Sequence, residues 1–186
     1  MSSRDLLAVG HTAFDYIMTV DEFPPANQAA PILTMKNLNG GAAANVAMIG
    51  ATLGAKTSLV SAVGEDFIDS RYQKAMIEAG VNIDSMIYDM ESNTPTAFVM
   101  TNKHGDQISY FHWGAGKAFH DSEVPRDTIK DAKAVHLATG DPHYNCKAAI
   151  VAKEEERLVS FDPGQDLGMY SPKKLVEVIK NCNILF

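Results

Sequence analysis

Gly40-Gly41-Ala42-Ala43-Ala44-Asn45-Val46-Ala47-Met48-Ile49 is the stretch on which the reading of this chain turns. Two adjacent glycines let a backbone approach a partner with no Cβ in the way, and the small-residue run behind them reads as a helix that stops at Leu53-Gly54. The N-terminus of such a helix directs unpaired N–H groups at whatever docks beside the glycines, so a polar ligand is expected there. Asn45 falls in the first turn, where helix propensity alone does not select Asn, and its amide both donates to and accepts from a hydroxyl-bearing ligand.

Upstream, Leu6-Leu7-Ala8-Val9-Gly10 is a short apolar run closed by glycine, the pattern of a buried strand, and His11-Thr12-Ala13-Phe14-Asp15 follows it. Ligands of open α/β sheets bind beyond the carboxyl ends of the strands, which puts Asp15 at the rim of that crevice. A carboxylate there accepts hydrogen bonds from sugar hydroxyls. Downstream, residues 57–64 read as one strand and 66–79 as one helix closed by Gly80. Residues 134–138 and 158–161 read as buried strands, with a helix over 142–156 between them. Ser171-Pro172 opens a last helix that carries Leu175, Val176 and Ile179 on one face, and 182–186 reads as a strand. This alternation predicts a layered α/β domain. Two stretches break the rhythm and read as strand pairs: 14–20 with 32–36, and 96–101 with 107–113, the second joined across 102–106 in a hairpin-like loop.

Composition sets the class. With 186 residues and 46% hydrophobic content there is material for one substantial core. A formal charge of −7 argues against a general nucleic-acid or anionic-membrane binder, since both need basic surface. Two cysteines, Cys146 and Cys182, make no disulfide framework and fit a reducing, cytoplasmic compartment. Arg4 is followed too soon by Asp5, His11 and Asp15 for a signal peptide or a membrane span.

Other motifs carry less. Gly114-Ala115-Gly116-Lys117 has Phe111 where a phosphate-binding P-loop needs Gly and Ala118 where it needs Ser or Thr, although Lys117 is still placed to touch a phosphate. His136, Asp141, His143 and Cys146 match no compact metal spacing, and His136 in an apolar strand reads as a core histidine with its hydrogen bonds satisfied. Ser58 and Ser61 lack a Gly-x-Ser-x-Gly elbow. His11 and Thr12 are given no more than a supporting role. Asp162-Pro163-Gly164-Gln165 follows a strand and lies at the crevice edge, either as an ordinary turn or as a ligand contact.

Gly10-His11-x-x-x-Asp15 followed by Gly40-Gly41-Ala42-x-Ala44-Asn45 resembles the first substrate-binding signature of the PfkB, or ribokinase-like, kinases. Within that family, residues 9–13, 111–115, 136–142 and 160–166 are similar in order and spacing to the archaeal nucleoside kinases. The resemblance implies a ribokinase-like three-layer sandwich, a mostly parallel sheet with helices on both faces, plus a small β lid near 14–36 and 96–113 that often mediates a homodimer. It implies ATP as phosphoryl donor with Mg²⁺, and a nucleoside 5′-hydroxyl as acceptor. Asp15, Gly41 and Asn45 would hold the sugar hydroxyls, with Gly40 shaping the turn. Phe111 and Trp113, with Phe14 and Phe98, would line the nucleoside pocket, and Lys117 and Gln165 would approach the nucleotide.

The family's catalytic Gly-Ala-Gly-Asp motif does not occur in this sequence, so no residue here is assigned as catalytic base. The chain reads as the N-terminal, acceptor-binding part of such a kinase, with the C-terminal part missing. A sugar or sugar-phosphate kinase of the same family, and a nucleoside-binding remnant without catalysis, are the alternatives.

Overall fold

The computed structural model describes residues 3–186. The chain runs through β1 (Arg4–Val9), β2 (Ala13–Val20), β3 (Ile32–Gly40), α1 (Ala42–Thr52), β4 (Thr57–Val60), β5 (Ala62–Gly64) and α2 (Arg71–Glu78). It continues through β6 (Ile87–Asp89), β7 (Thr96–Thr101), β8 (Gln107–His112), α3 (Arg126–Lys130) and β9 (Ala132–Leu137), then α4 (Pro142–Glu154), β10 (Leu158–Phe161), α5 (Pro172–Lys180) and β11 (Ile184–Leu185). Short 3-10 segments lie at Glu65–Phe67, Gly114–Phe119 and Gly164–Met169.

Five of these strands form an all-parallel sheet in the order β11-β10-β9-β1-β4. Alternation along β1 sends Leu7 and Val9 to one face and Ala8 to the other. On the first face they join Val135, Leu137, Val159 and Phe161 under Ile129 of α3, Tyr144 and Ala148 of α4 and Val178 of α5. On the second, Ala8 and Leu59 meet Ala43, Ala44 and Ala47 of α1 and Tyr72 and Met76 of α2. The three alanines let α1 lie close on the sheet, which brings its N-terminus to the carboxyl end of β1. Burying side chains such as Leu7, Leu137 or Phe161 contributes about 1.5–3 kcal/mol each.

The two strand pairs expected as a lid form a single sheet, the lid sheet. Antiparallel β2/β3 and β7/β8 are joined by parallel pairing of β2 with β7, Phe14 opposite Thr96 and Thr19 opposite Thr101, giving the order β3-β2-β7-β8. β3 runs past the expected end at residue 36 to Gly40, which pairs with Ala13. The strand therefore delivers the chain into α1 across Gly41 alone, at φ 95° and ψ 128°.

Several element readings need correction. Residues 57–64 are two strands: β4 belongs to the large sheet, whereas β5 pairs with β6 as a separate two-stranded ribbon. Ser61 sits at the break, its Oγ accepting from the Thr12 amide at 2.8 Å. Residues 66–79 are likewise interrupted, because Asp69 adopts φ 58° and Ser70 caps α2 by accepting from the Gln73 amide at 3.1 Å. On α5, Leu175 and Val178 pack inward, while Val176 and Ile179 are 49% and 40% exposed. The expected cap of α5 holds, Ser171 accepting from the Lys174 amide ahead of Pro172, and α4 has a cap that the sequence reading did not name, Asp141 accepting from the Tyr144 amide.

Candidate active site

The carboxyl ends of β1, β9 and β10 face the lid across a cleft of about 600 Å³. Asp15, Gly41, Asn45, Phe111, Trp113 and Gln165 all line it, so β2, α1, β8 and the segment after β10 converge on one place.

Gly41 is there because nothing larger fits. A Cβ on it would lie 2.6 Å from Thr12 Cα and would overlap the His11 carbonyl, and its positive φ is one that L side chains rarely adopt. The Ala44 amide donates to that His11 carbonyl at 3.3 Å, so one of the amides expected to be free at the start of α1 is already used in tying the helix to β1. Asn45 lies on the exposed side of the same turn. Gly40 does not line the cleft; it backs Asp15 so closely that any Cβ would overlap the carboxylate. The Tyr72 hydroxyl donates to the Gly40 carbonyl at 2.9 Å. Burial, and then the nearby Asp15 charge, push that hydroxyl's pKa far up, so it stays protonated and keeps donating. Burial likewise raises the Asp15 carboxyl above its ordinary value, the mark of a carboxylate held partly out of water.

The four aromatic residues separate. Phe111 and Trp113 face the cleft with ring centroids 6.0 Å apart, edge to face. Phe14 instead packs on Tyr72 at 6.3 Å, and Phe98 stacks on Tyr16 at 5.4 Å on the lid, neither being among the cleft residues. Lys117 is exposed on the 3-10 segment Gly114–Phe119, also outside the cleft. That segment is a buried turn and not a phosphate loop: the Gly114 and Ala115 region is pinned by the Ala115 amide donating to the Asn93 carbonyl at 2.8 Å.

The profile of the pfkB family carbohydrate kinases matches residues 3–186. The chain belongs to that family. A nucleoside kinase of Methanothermobacter thermautotrophicus is 56% identical over 183 residues, 98% of this chain and 59% of the relative. A nucleoside kinase of Methanocaldococcus jannaschii is 42% identical over 97% of this chain and 59% of the relative. The crystal structure of the Methanocaldococcus jannaschii nucleoside kinase, described as an archaeal member of the ribokinase family, superposes with a TM-score of 0.94 at 41% identity, over 100% of this chain and 60% of that one. The fold is thus the ribokinase fold, and this pfkB chain spans about 59% of the length of the curated relatives it matches.

Reading the sequence missed part of the pfkB cleft. His136, Thr139 and Asp166 also line it, as do His11, given only a supporting role, and Asp162, whose turn was placed at the crevice edge. His136 is satisfied as expected, Nδ1 lying 2.9 Å from Ser160 Oγ, its partner in the β9/β10 register. Burial lowers its pKa, with Asp162 opposing, so the ring is neutral. It reaches the cleft all the same, because β9 ends there. Thr139 and Asp166 were signalled by their place just after β9 and β10 and by the resemblance of blocks 136–142 and 160–166, but with no role attached. Among the described residues, no three His, Cys, Asp or Glu side chains are arranged to hold a metal ion, and no helix is long and apolar enough to cross a membrane. Both cysteines are free.

Proposed function

We propose that this chain is the acceptor-binding part of an ATP-dependent nucleoside kinase, which transfers the γ-phosphoryl group of ATP to the 5′-hydroxyl of a nucleoside. The observation that carries the reading is the pairing, within one cleft, of hydroxyl-binding groups with an aromatic wall: Asp15 and Asn45 beside the Gly41 backbone, and Phe111 and Trp113 across from them. A sugar needs only the first set; a nucleoside uses both. The nucleoside kinase names of the relatives at 56% and 42% identity support the same reading.

In this reading the Asp15 carboxylate accepts from the ribose hydroxyls, the Asn45 amide donates and accepts beside it, and Gly41 lets the sugar approach the backbone. Catalysis of phosphoryl transfer is mainly positioning and charge neutralisation, and the acceptor half of the positioning lies here. Gln165, at the cleft edge beyond β10, is the described residue best placed toward the nucleotide. Lys117 is exposed and does not line this cleft, so any approach it makes to the nucleotide would be made outside it. ATP is a substrate in this scheme, and Mg²⁺ would arrive on its phosphates, since the described residues offer no cage for it. A cytoplasmic setting and a homodimer formed through the lid complete the proposal.

The test is an ATP-dependent phosphorylation assay on the full-length protein, with nucleosides, ribose and fructose 6-phosphate as acceptors. Nucleosides are the expected substrates. Turnover of the sugars alone would overturn the reading in favour of a sugar kinase of the same family.

A further inference from the structure

His11 is the most anomalous polar group in the molecule. It is 3% exposed, and neither ring nitrogen has a hydrogen-bond partner among the described residues. Asp166 Oδ2 lies 3.6 Å from His11 Nε2, within ion-pair reach but beyond hydrogen-bond length, and it too is buried without a hydrogen-bond partner. Folded proteins rarely leave buried polar atoms without a hydrogen bond, and two side by side at the wall of a ligand cleft that both residues line point to a group that comes from outside.

The ring is held in one orientation. Trp113 meets it edge-on with centroids 4.6 Å apart, and Phe111 is tilted against it at 5.1 Å. The backbone of Gly116 closes the other side, for a Cβ there would lie 3.3 Å from His11 Cε1 and 3.5 Å from Nδ1. The Nδ1 edge therefore faces protein, and the Nε2 edge faces Asp166. The two aromatic rings, at 84° to one another, thus hold His11 at their margin, so a flat ring stacked on either one has the His11–Asp166 pair beside it.

We propose that His11 and Asp166 are a specificity-determining pair that reads the hydrogen-bonding edge of the acceptor's base, Asp166 Oδ2 accepting an N–H and His11 Nε2–H donating to the neighbouring acceptor atom. The inference rests on the nucleoside reading above. An N–H beside an acceptor is what inosine presents at N1 and O6, and adenosine at its amino group and N1. Purine riboside keeps the ribose and the bicyclic ring but has no N–H on that edge, so it forfeits the Asp166 contact and leaves the carboxylate oxygen buried and unpaired.

Calorimetry on the full-length protein decides the matter, with inosine, purine riboside and ribose as probes against wild type, Asp166→Ala and His11→Phe. Wild type should bind inosine about tenfold or more tighter than purine riboside, the scale of one hydrogen bond to a charged group, and each variant should shrink that ratio to about twofold by weakening inosine alone. Phe fills the His11 site among its aromatic neighbours; should that variant not fold, Asp166→Ala alone decides. Equal weakening of both nucleosides would mark a structural role and overturn the proposal. A wild-type ratio near one would overturn it while leaving the nucleoside reading intact, whereas binding of ribose but of neither nucleoside would overturn both.

Discussion

Asp15 of β2 and Gly40 are locked together at the junction of β3 and α1: the carboxylate occupies the space a Cβ on residue 40 would need. The glycine therefore shapes the proposed acceptor site without lining the cleft. Gly40→Ala should force the Asp15 carboxylate out of position and weaken nucleoside binding by about 1.5–3 kcal/mol, the worth of a hydrogen bond to a charged group. Gly168→Ala is the control, since a Cβ there meets nothing within 4 Å. Titration calorimetry on the two variants should find the loss in the first alone.

Asp15→Asn should separate stability from binding. The folded-state pKa of Asp15 is raised by burial above its ordinary 3.8, so the ionised form costs the fold something at neutral pH. A raised pKa means that this group favours folding below its unfolded value and that the advantage is lost as pH rises through the folded value. The Asn variant, which has no charge to bury, should melt higher than wild type at pH 7, and the gap should close as the pH falls toward 3.8. Nucleoside affinity should move the other way, falling by about 1.5–3 kcal/mol at pH 7. Thermal melts and calorimetry on the same samples check both signs; a variant that melts lower and binds unchanged would remove Asp15 from the site.

Trp113 is the sole tryptophan of the chain, which makes its fluorescence a direct report of the aromatic wall. Inosine should change that emission and ribose should not. Phe111→Ala should cost inosine about 1–3 kcal/mol of stacking and leave ribose binding nearly untouched. Equal losses for both ligands would show that Phe111 only stiffens the lid.

Much of this was legible in the sequence because the informative residues are local. The apolar runs of β1, β9 and β10, the cap Ser171 and the Gly40-Gly41 junction each declare themselves within a few positions. What stayed hidden depends on partners distant in the chain. Nothing local tells residues 57–64 that Ser61 will be taken by the Thr12 amide and that β5 will leave for another sheet. The break before α2 had a local signal, Ser70-x-x-Gln73, with Gln73 Oε1 accepting from the Asp69 amide at 2.8 Å, which an uninterrupted helical pattern outweighed. The resemblance brought Asp15, Gly41, Asn45, Phe111, Trp113 and Gln165 to one cleft, but His11 and Asp166 lie 155 positions apart and become a pair only when β1 and β10 share a sheet.

The last prediction concerns β3, an edge strand of the lid. Ile32, Leu33, Met35 and Leu38 are 51%, 61%, 61% and 49% exposed, and every residue of the strand but Gly40 is open to solvent. An apolar strand with an unpaired edge is a template for a second chain, and natural sheets normally blunt such edges with charge; here Lys36 is the one charged residue in the strand. The full-length protein should therefore sediment as a dimer, and Leu33→Lys with Met35→Glu should shift it to monomer, since burying either charge in the shared sheet is costly. Inosine binding by the monomer should persist if the lid folds within one chain, because none of the β3 residues lines the cleft. Analytical ultracentrifugation of wild type and the double variant tests this, and a wild type that stays monomeric would rule out β3 as the contact.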